Sequence, residues 1–512
     1  MRLVLLAFAV LPAVAPAAAL AQPAGRVAPE RYADVRLAGE RIAERLAAAG
    51  VGADHAEPAK AADGTPTLRL VLSSRELDAA RAAGLTADVL VPDLAARTAR
   101  RAGACPTPPV PVTGTMGCYP TFDEALAILD LMRAEFPALV SARRPIGTTG
   151  EGRGVWMVEV GDNPGVDEGE PEVLFTSLHH AREPEGLVTV LYALWELLRS
   201  GAAGDAEARY LLANRRLFAV PVLNPDGYVY NQTTDRAGGG FWRKNRRPNA
   251  DGTRGVDLNR NYGVEWGRDD AGSSPDGGSE TYRGSAAFSE PETAAVRDFV
   301  AGRRIRVAMN YHSYANVLIY PWGYEPGLYT PDSAAFVAQA QRMTAANGYR
   351  SGTSDQVIGY TVNGSSDDWM YGDTSARAAI LAYTPEVGSA QDGFWPAPDR
   401  IVPLAQENVR ANRLAMRLAG AVPAVARVEV VVGTDGSLDP GEAADLRVVV
   451  VNLGRSALAG GLRARLVSAS PDVTVGPDVL TSGGTLAPGA TLEPGTATGT
   501  DTTAAPGPTA AP

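Results

Sequence analysis

The chain has 512 residues, 45% of them apolar and 21% charged, and carries a formal net charge of −11. That is the composition of a soluble globular protein of about three domains. The acidic balance argues against nucleic acid or an anionic membrane as the main partner, because both call for basic stripes.

Arg2, the apolar run after it and the small residues "ALA" at 19–21 read as a signal peptide over 1–21, which implies a secreted protein, whether extracellular, periplasmic or at the cell surface. Pro12 and Pro16 interrupt that run and no second run approaches ~20 apolar residues, so no membrane span is expected. Residues 22–100 predict a small α/β module: helical "ADVRLAGERIAERLAAAG", strand "TLRLVLS", helical "SRELDAARAAG" and strand "ADVLVPD". The stretch 101–118, basic and then Pro-rich, reads as an exposed linker open to proteolysis. It holds the only two cysteines, Cys105 and Cys118. Export makes one disulfide the expectation, with two free thiols as the alternative.

From 119 to 420, amphipathic helices such as "FDEALAILDLMRAEF" and "EGLVTVLYALWELLRS" alternate with short apolar strands, "VWMVEV", "EVLFTS", "LFAVPV", "IRVAMNY" and "AAILAYT". One last helix is expected through "AQENVRANRLAMRLAG". Continuously apolar strands between amphipathic helices predict an α/β domain with a mixed, mostly parallel sheet and helices on both faces. Residues 426–480 alternate apolar runs with Gly, Pro and Asp turns and read as a β-sandwich-like segment. Residues 481–512, nearly bare of large apolar side chains, read as a disordered tail.

Only four histidines occur, and two of them stand in "SLHHAREPEG" at 177–186. His180 falls just past the end of "EVLFTS", and Glu183 opens the next helix ahead of Pro184. "IRVAMNY" also runs into a histidine, His312. Strand ends in α/β sheets are where sites form, and two histidines with one carboxylate make the set of a catalytic zinc with one position left open. A lone His-x-x-Glu is a weak signal; the second strand-end histidine strengthens it. A third strand end adds Glu386, a carboxylate able to act as general base. The remaining histidines, His55 in the N-terminal module and His179, take no part in this set.

"HAREP", "NPDGY", "FWRKN", "GVDLNRNY", "SETYRG", "NYHSY", "GYTVNGSSDDW" and "YTPEVG", in this order over about 119–420, resemble the zinc metallocarboxypeptidases of the carboxypeptidase A/B family. The resemblance implies one zinc per chain on His180, Glu183 and His312, with Glu386 as the base that takes the proton of the attacking water. It implies Arg243 as the group that stabilises the oxyanion, and Asn259, Arg260 and Tyr360 as the holders of a free C-terminal carboxylate. Arg182 would touch the substrate upstream. Asp367 would line the pocket for the terminal side chain and select Lys or Arg. Residues 22–100 take the place of a prosegment, which makes the chain an expected zymogen. The partners implied are peptides or proteins with a free C-terminus, met by a monomer. The alternatives are a peptidoglycan-trimming or amide-hydrolysing member of the same superfamily, and an inactive secreted binding protein. "RDDAGSSPDGG" at 268–278 reads as a solvated acidic loop, with calcium binding as the alternative.

Overall fold

The computed structural model describes residues 30–61, 63–100, 103–431, 443–469, 473–476, 479–493 and 496–501; the expected signal peptide and residues 502–512 lie outside them. The N-terminal module contains β1 (Tyr32–Ala38), α1 (Ile42–Ala48), β2 (Glu57–Lys60), β3 (Pro66–Ser73), α2 (Ser74–Ala82), β4 (Thr86–Val91) and α3 (Leu94–Ala99). Its antiparallel sheet has the order β2-β3-β1-β4. The helix expected from residue 33 is corrected here, because Tyr32–Ala38 is the inner strand and only Ile42–Ala48 is helical. Ala33, Val35 and Leu37 alternate onto the module core while the backbone pairs with a strand on either side. That pairing overrides the helix propensity of an Ala/Arg/Leu-rich stretch. In contrast, α2 starts where its sequence says it should, on a capping box of Ser73 and Glu76.

The stretch expected to be an exposed linker is partly built in. Val110, Val112 and Met116 are buried in the core of the next domain, and Cys105 and Cys118 are disulfide-bonded.

The large domain continues with α4 (Phe122–Glu135), β5 (Arg144–Thr148), β6 (Gly154–Val160), β7 (Glu172–Ser177), α5 (Pro184–Ala202), α6 (Ala206–Leu212), β8 (Arg216–Val220), α7 (Pro225–Thr234), α8 (Pro291–Ala301), β9 (Ile305–Tyr311), β10 (Val317–Ile319), α9 (Ser333–Thr344), β11 (Arg350–Gly352), α10 (Ser354–Val357), α11 (Ser366–Gly372), β12 (Leu381–Glu386), α12 (Pro398–Glu407) and α13 (Val409–Ala419). Its eight strands lie in the order β11-β10-β12-β9-β7-β8-β6-β5. The centre, β12-β9-β7-β8, is parallel, and both flanks add antiparallel pairs. Successive residues of these strands feed two separate cores: Val173 and Phe175 of β7 one, Leu174 the other; Met309 of β9 one, Ala308 the other. The single last helix expected near 405–420 is two, α12 and α13, which meet at Asn408, where the side chain bonds back to the Leu404 carbonyl.

The parallel strands β7, β9 and β12 finish at one edge of the sheet, and α5 begins there with Pro184 in its first turn. Leu178, in the left-handed region at φ 56°, turns the chain sharply between β7 and the two histidines.

The C-terminal region holds β13 (Pro423–Val431), β14 (Ala443–Asn452), β15 (Leu462–Arg465), β16 (Val473–Gly476), β17 (Val479–Ser482), β18 (Thr491–Leu492) and β19 (Thr496–Asp501). The reading of 481 onward as disordered is corrected as far as Asp501. β18 and β19 pair with β14, and Leu480 and Leu486 close a small core with Val448 and Val450. Ladder hydrogen bonds to an existing strand need no large side chains, and composition alone does not register them. Among the described residues no helix is long and apolar enough to cross a membrane.

Candidate active site

His180, Glu183 and His312 converge at the sheet edge, with ligand atoms all within 4.8 Å of one another and all three residues buried. Glu183 Oε1 lies 2.7 Å from His180 Nδ1, Glu183 Oε2 2.9 Å from His312 Nδ1, and the two Nδ1 atoms are 3.1 Å apart. Adjacent strand ends set this up: the His312 N–H donates to the Pro385 carbonyl and the Val387 N–H to the His312 carbonyl, which locks β9 beside β12.

Asp257 accepts from His180 Nε2 at 3.1 Å. With its proton on Nε2, a neutral His180 turns a bare Nδ1 lone pair toward Glu183 and His312. The Nδ1 atoms of two imidazoles and a carboxylate face one another, an arrangement that a cation satisfies, and the donor set is that of catalytic zinc sites. Burial pushes the Glu183 carboxyl up, but its electrostatic pairing and hydrogen bonds with His180 and His312 outweigh it and hold it well below its ordinary range. Burial lowers His312, against the opposing pull of Glu183. His179 stands apart, with Nε2 on the Tyr262 hydroxyl at 2.9 Å.

Asp257 also grips Arg243, through Nε at 3.1 Å and NH2 at 2.8 Å. Arg243 NH1 is buried without a partner, 3.8 Å from Glu183 Oε1. Arg260 donates to the Gly272 and Asn259 carbonyls, both at 3.0 Å. Asn259 spends its Oδ1 on the Ser366 N–H at 2.9 Å, which leaves its amide nitrogen as a donor. Glu386 Oε2 is buried with no hydrogen-bond partner. Burial and the nearby Glu183 charge raise its carboxyl well above the ordinary range, against the pull of Arg243.

His180, Arg243, Asn259, Arg260, Tyr360, Asp367 and Glu386 line one cavity. Asp367 is 5% exposed and accepts from the Thr384 hydroxyl at 3.2 Å. Its neighbour Asp368 is spent on the backbone, at 3.0 Å from the Gly323 N–H. Arg182 lies further out, 3.1 Å from Glu280 and stacked 4.4 Å over the Phe394 ring. The acidic loop 268–278 commits Asp269 to its own backbone and Asn363, Asp270 to Arg283, and Asp276 to Arg75.

Residues 125–411 match the family model described as zinc carboxypeptidase. The chain belongs to the zinc carboxypeptidase family. A zinc carboxypeptidase of Saccharothrix mutabilis subsp. capreolus is 32% identical over 320 residues, which cover 60% of this chain and 71% of that one. A carboxypeptidase B of Astacus astacus is 33% identical over 300 residues, 56% and 93% of the two chains. In fold, this carboxypeptidase is similar to the crystal structure of carboxypeptidase A from Helicoverpa armigera, with a TM-score of 0.60 at 24% identity over 76% of this chain and 98% of that one. Its likeness to thrombin-activatable fibrinolysis inhibitor is close to that, with a TM-score of 0.59 at 22% identity over 76% and 99%.

Two residues of the carboxypeptidase's N-terminal module enter the site, and sequence reasoning gave neither a place there. Asp54 lies 2.6 Å from Arg243 NH2 and 2.9 Å from Arg260 NH2. Burial raises its carboxyl, but Arg260 and Arg243 outweigh that and hold it ionised. His55 follows, with Nε2 3.9 Å from Glu183 Oε1. The loop that carries them fits tightly: a Cβ on Gly52 would stand 2.8 Å from Thr281 Cγ2. With the module docked, Asp54 and His55 line the cavity together with His180, Arg243, Arg260 and Glu386. Asp257 was also missed as a site residue. Its signal was available, since a buried aspartate two positions before Asn259 sits inside one of the eight quoted motifs.

Proposed function

We propose that this zinc carboxypeptidase is exported and removes single residues, basic ones by preference, from the free C-termini of peptides and proteins. In the same proposal, the N-terminal module holds it inactive until it is cut away. One observation carries the reading: a carboxylate, that of Asp54, already sits between Arg243 and Arg260 beside the His180, Glu183 and His312 trio. Once the module leaves, a substrate would take the same two cations, its terminal carboxylate on Arg260 and its scissile carbonyl on Arg243.

His180, Glu183 and His312 would hold zinc, which when bound polarises the scissile carbonyl and acidifies water. Glu386, with its raised proton affinity, takes the proton of the attacking water and hands it to the leaving amine. Arg243 NH1, otherwise unpartnered, donates to the oxyanion that forms on the carbonyl. Asp257 positions both His180 and Arg243. Arg260, the Asn259 amide and Tyr360 bind the terminal carboxylate, Arg182 contacts residues upstream, and Asp367 meets a basic terminal side chain at the cavity wall. The apolar N-terminal run and the Cys105–Cys118 bridge support export.

The test compares free and amidated C-termini in wild type and Arg260→Gln. Amidation and the substitution remove the two halves of one ion pair, so their losses in kcat/KM are expected to be strongly non-additive. Equal rates on free and amidated peptides would end the exopeptidase reading.

A further inference from the structure

Three protein ligands leave a catalytic zinc one position open. In the intact chain His55 lines the same cavity as His180 and stands beside the trio, outside the set of three residues whose ligand atoms all lie within 4.8 Å of one another. Its Nδ1 lies 3.0 Å from the Tyr314 carbonyl oxygen, which can only accept. The proton is therefore on Nδ1, and Nε2 carries a free lone pair. That Nε2 is 3.9 Å from Glu183 Oε1, the carboxylate oxygen that also meets His180 Nδ1.

The ring cannot easily turn away. It is stacked on Tyr314 at 5.1 Å between centroids and edge-on to Phe394 at 5.0 Å, with 6% of the side chain exposed. The backbone adds a second sign. His55 sits at φ 58° in the left-handed region, a conformation that costs a non-glycine residue energy and that clusters where a side chain must be aimed. Asp54 alone accounts for the pairing with Arg243 and Arg260; it gives no reason for an aimed, proton-fixed imidazole beside it.

We propose that in the uncut chain His55 Nε2 is a fourth ligand of the cation held by His180, Glu183 and His312, so that the metal fastens the module and the module closes the metal. This rests on the reading of those three residues as the metal site. It adds that cutting the chain changes the metal's ligand set.

X-ray absorption at the zinc edge of the uncut full-length protein counts imidazoles directly. Three are expected in uncut wild type, and two in uncut His55→Gln and in wild type after trypsin has removed the module. Glutamine retains a donor for the Tyr314 carbonyl but has no imidazole, and Asp54 still docks the module. Zinc should pass from uncut His55→Gln to a chelator roughly tenfold or more faster than from uncut wild type, and at the same rate once both are trimmed. Two imidazoles in uncut wild type, or equal release from the two uncut proteins, overturns the inference and leaves the three-residue site standing. Failure of the uncut wild type to retain zinc at all overturns the site itself.

Discussion

Replacing Asp54 with alanine should switch on the uncut enzyme. The carboxylate lies 2.6 Å from Arg243 and 2.9 Å from Arg260, and the three side chains are exposed by no more than 9%. Removing one partner of a buried ion pair costs about 3–5 kcal/mol. At about 1.4 kcal/mol per tenfold, docking of the module should weaken by roughly a hundredfold to a few thousandfold. The module remains tethered at a local concentration of about the millimolar range, so part of that loss appears as partial rather than full activity. The assay is the ratio of the initial rate after tryptic removal of the module to the rate before it, on one peptide substrate, for wild type and Asp54→Ala. Wild type should show a large ratio and Asp54→Ala a much smaller one. An uncut Asp54→Ala as silent as uncut wild type, with both active after trimming, refutes Asp54 as the plug. An uncut wild type as active as the trimmed enzyme refutes inhibition by the module altogether.

His180→Ala, Glu183→Ala and His312→Ala should lose metal and activity together, whereas Glu386→Gln should keep its zinc and lose turnover by about 10²–10⁴-fold, as metal analysis and steady-state kinetics on the same samples would show. Zinc loss from Glu386→Gln, or from His179→Ala but not His180→Ala, would reverse the assignments. Asp367→Ile should shift kcat/KM away from peptides ending in Arg or Lys toward those ending in Phe or Leu, because a desolvated carboxylate left unpaired penalises apolar side chains; an unchanged ranking removes Asp367 as selector. The uncut chain should also become leakier as pH rises. Glu76 of the module is buried against Glu280, and burial followed by the Glu280 charge pushes its carboxyl up to about 7 from an ordinary 4.5. A carboxyl raised in the docked state favours docking fully below about 4.5 and loses that contribution as pH climbs through about 7. The activity of uncut relative to trimmed enzyme should therefore grow over that window, and Glu76→Gln, which can still complete the capping box, should flatten the rise.

How much of this was legible in the sequence depended on where each signal lay. His180, His312 and Glu386 could be read because each sits at or just past the end of a strand whose apolar run is plain, with Glu183 opening the helix that follows, and the sheet order brings β7, β9 and β12 side by side. Asp54 and His55 could not. They come from a turn that carries no periodicity, and their partners lie far along the chain: Arg243 and Arg260 for one, Glu183 and Tyr314 for the other. A carboxylate and an imidazole in a polar loop look solvated until a second domain covers them. Tyr32–Ala38 misled for a different reason. Its residues favour a helix in isolation, and only pairing with β3 and β4 makes it a strand. β18 and β19 escaped notice because they are held to β14 by backbone bonds, to which Thr, Gly and Ala contribute as well as Val.

Both cysteines of the chain lie after the basic stretch Arg97–Arg101. A cut in that stretch leaves the Cys105–Cys118 bridge wholly on the enzyme's side, and the departing fragment has no thiol with which to stay attached. Before the cut, re-docking is an encounter between two parts of one molecule; afterwards it is a meeting of two solutes, and it fades with dilution. If the module is an inhibitory prosegment as proposed, the device would behave as a fuse rather than a valve. The bridge would meanwhile stay on the stretch that carries buried Val110 and Val112, so that loss of the fragment would not free that stretch from the core.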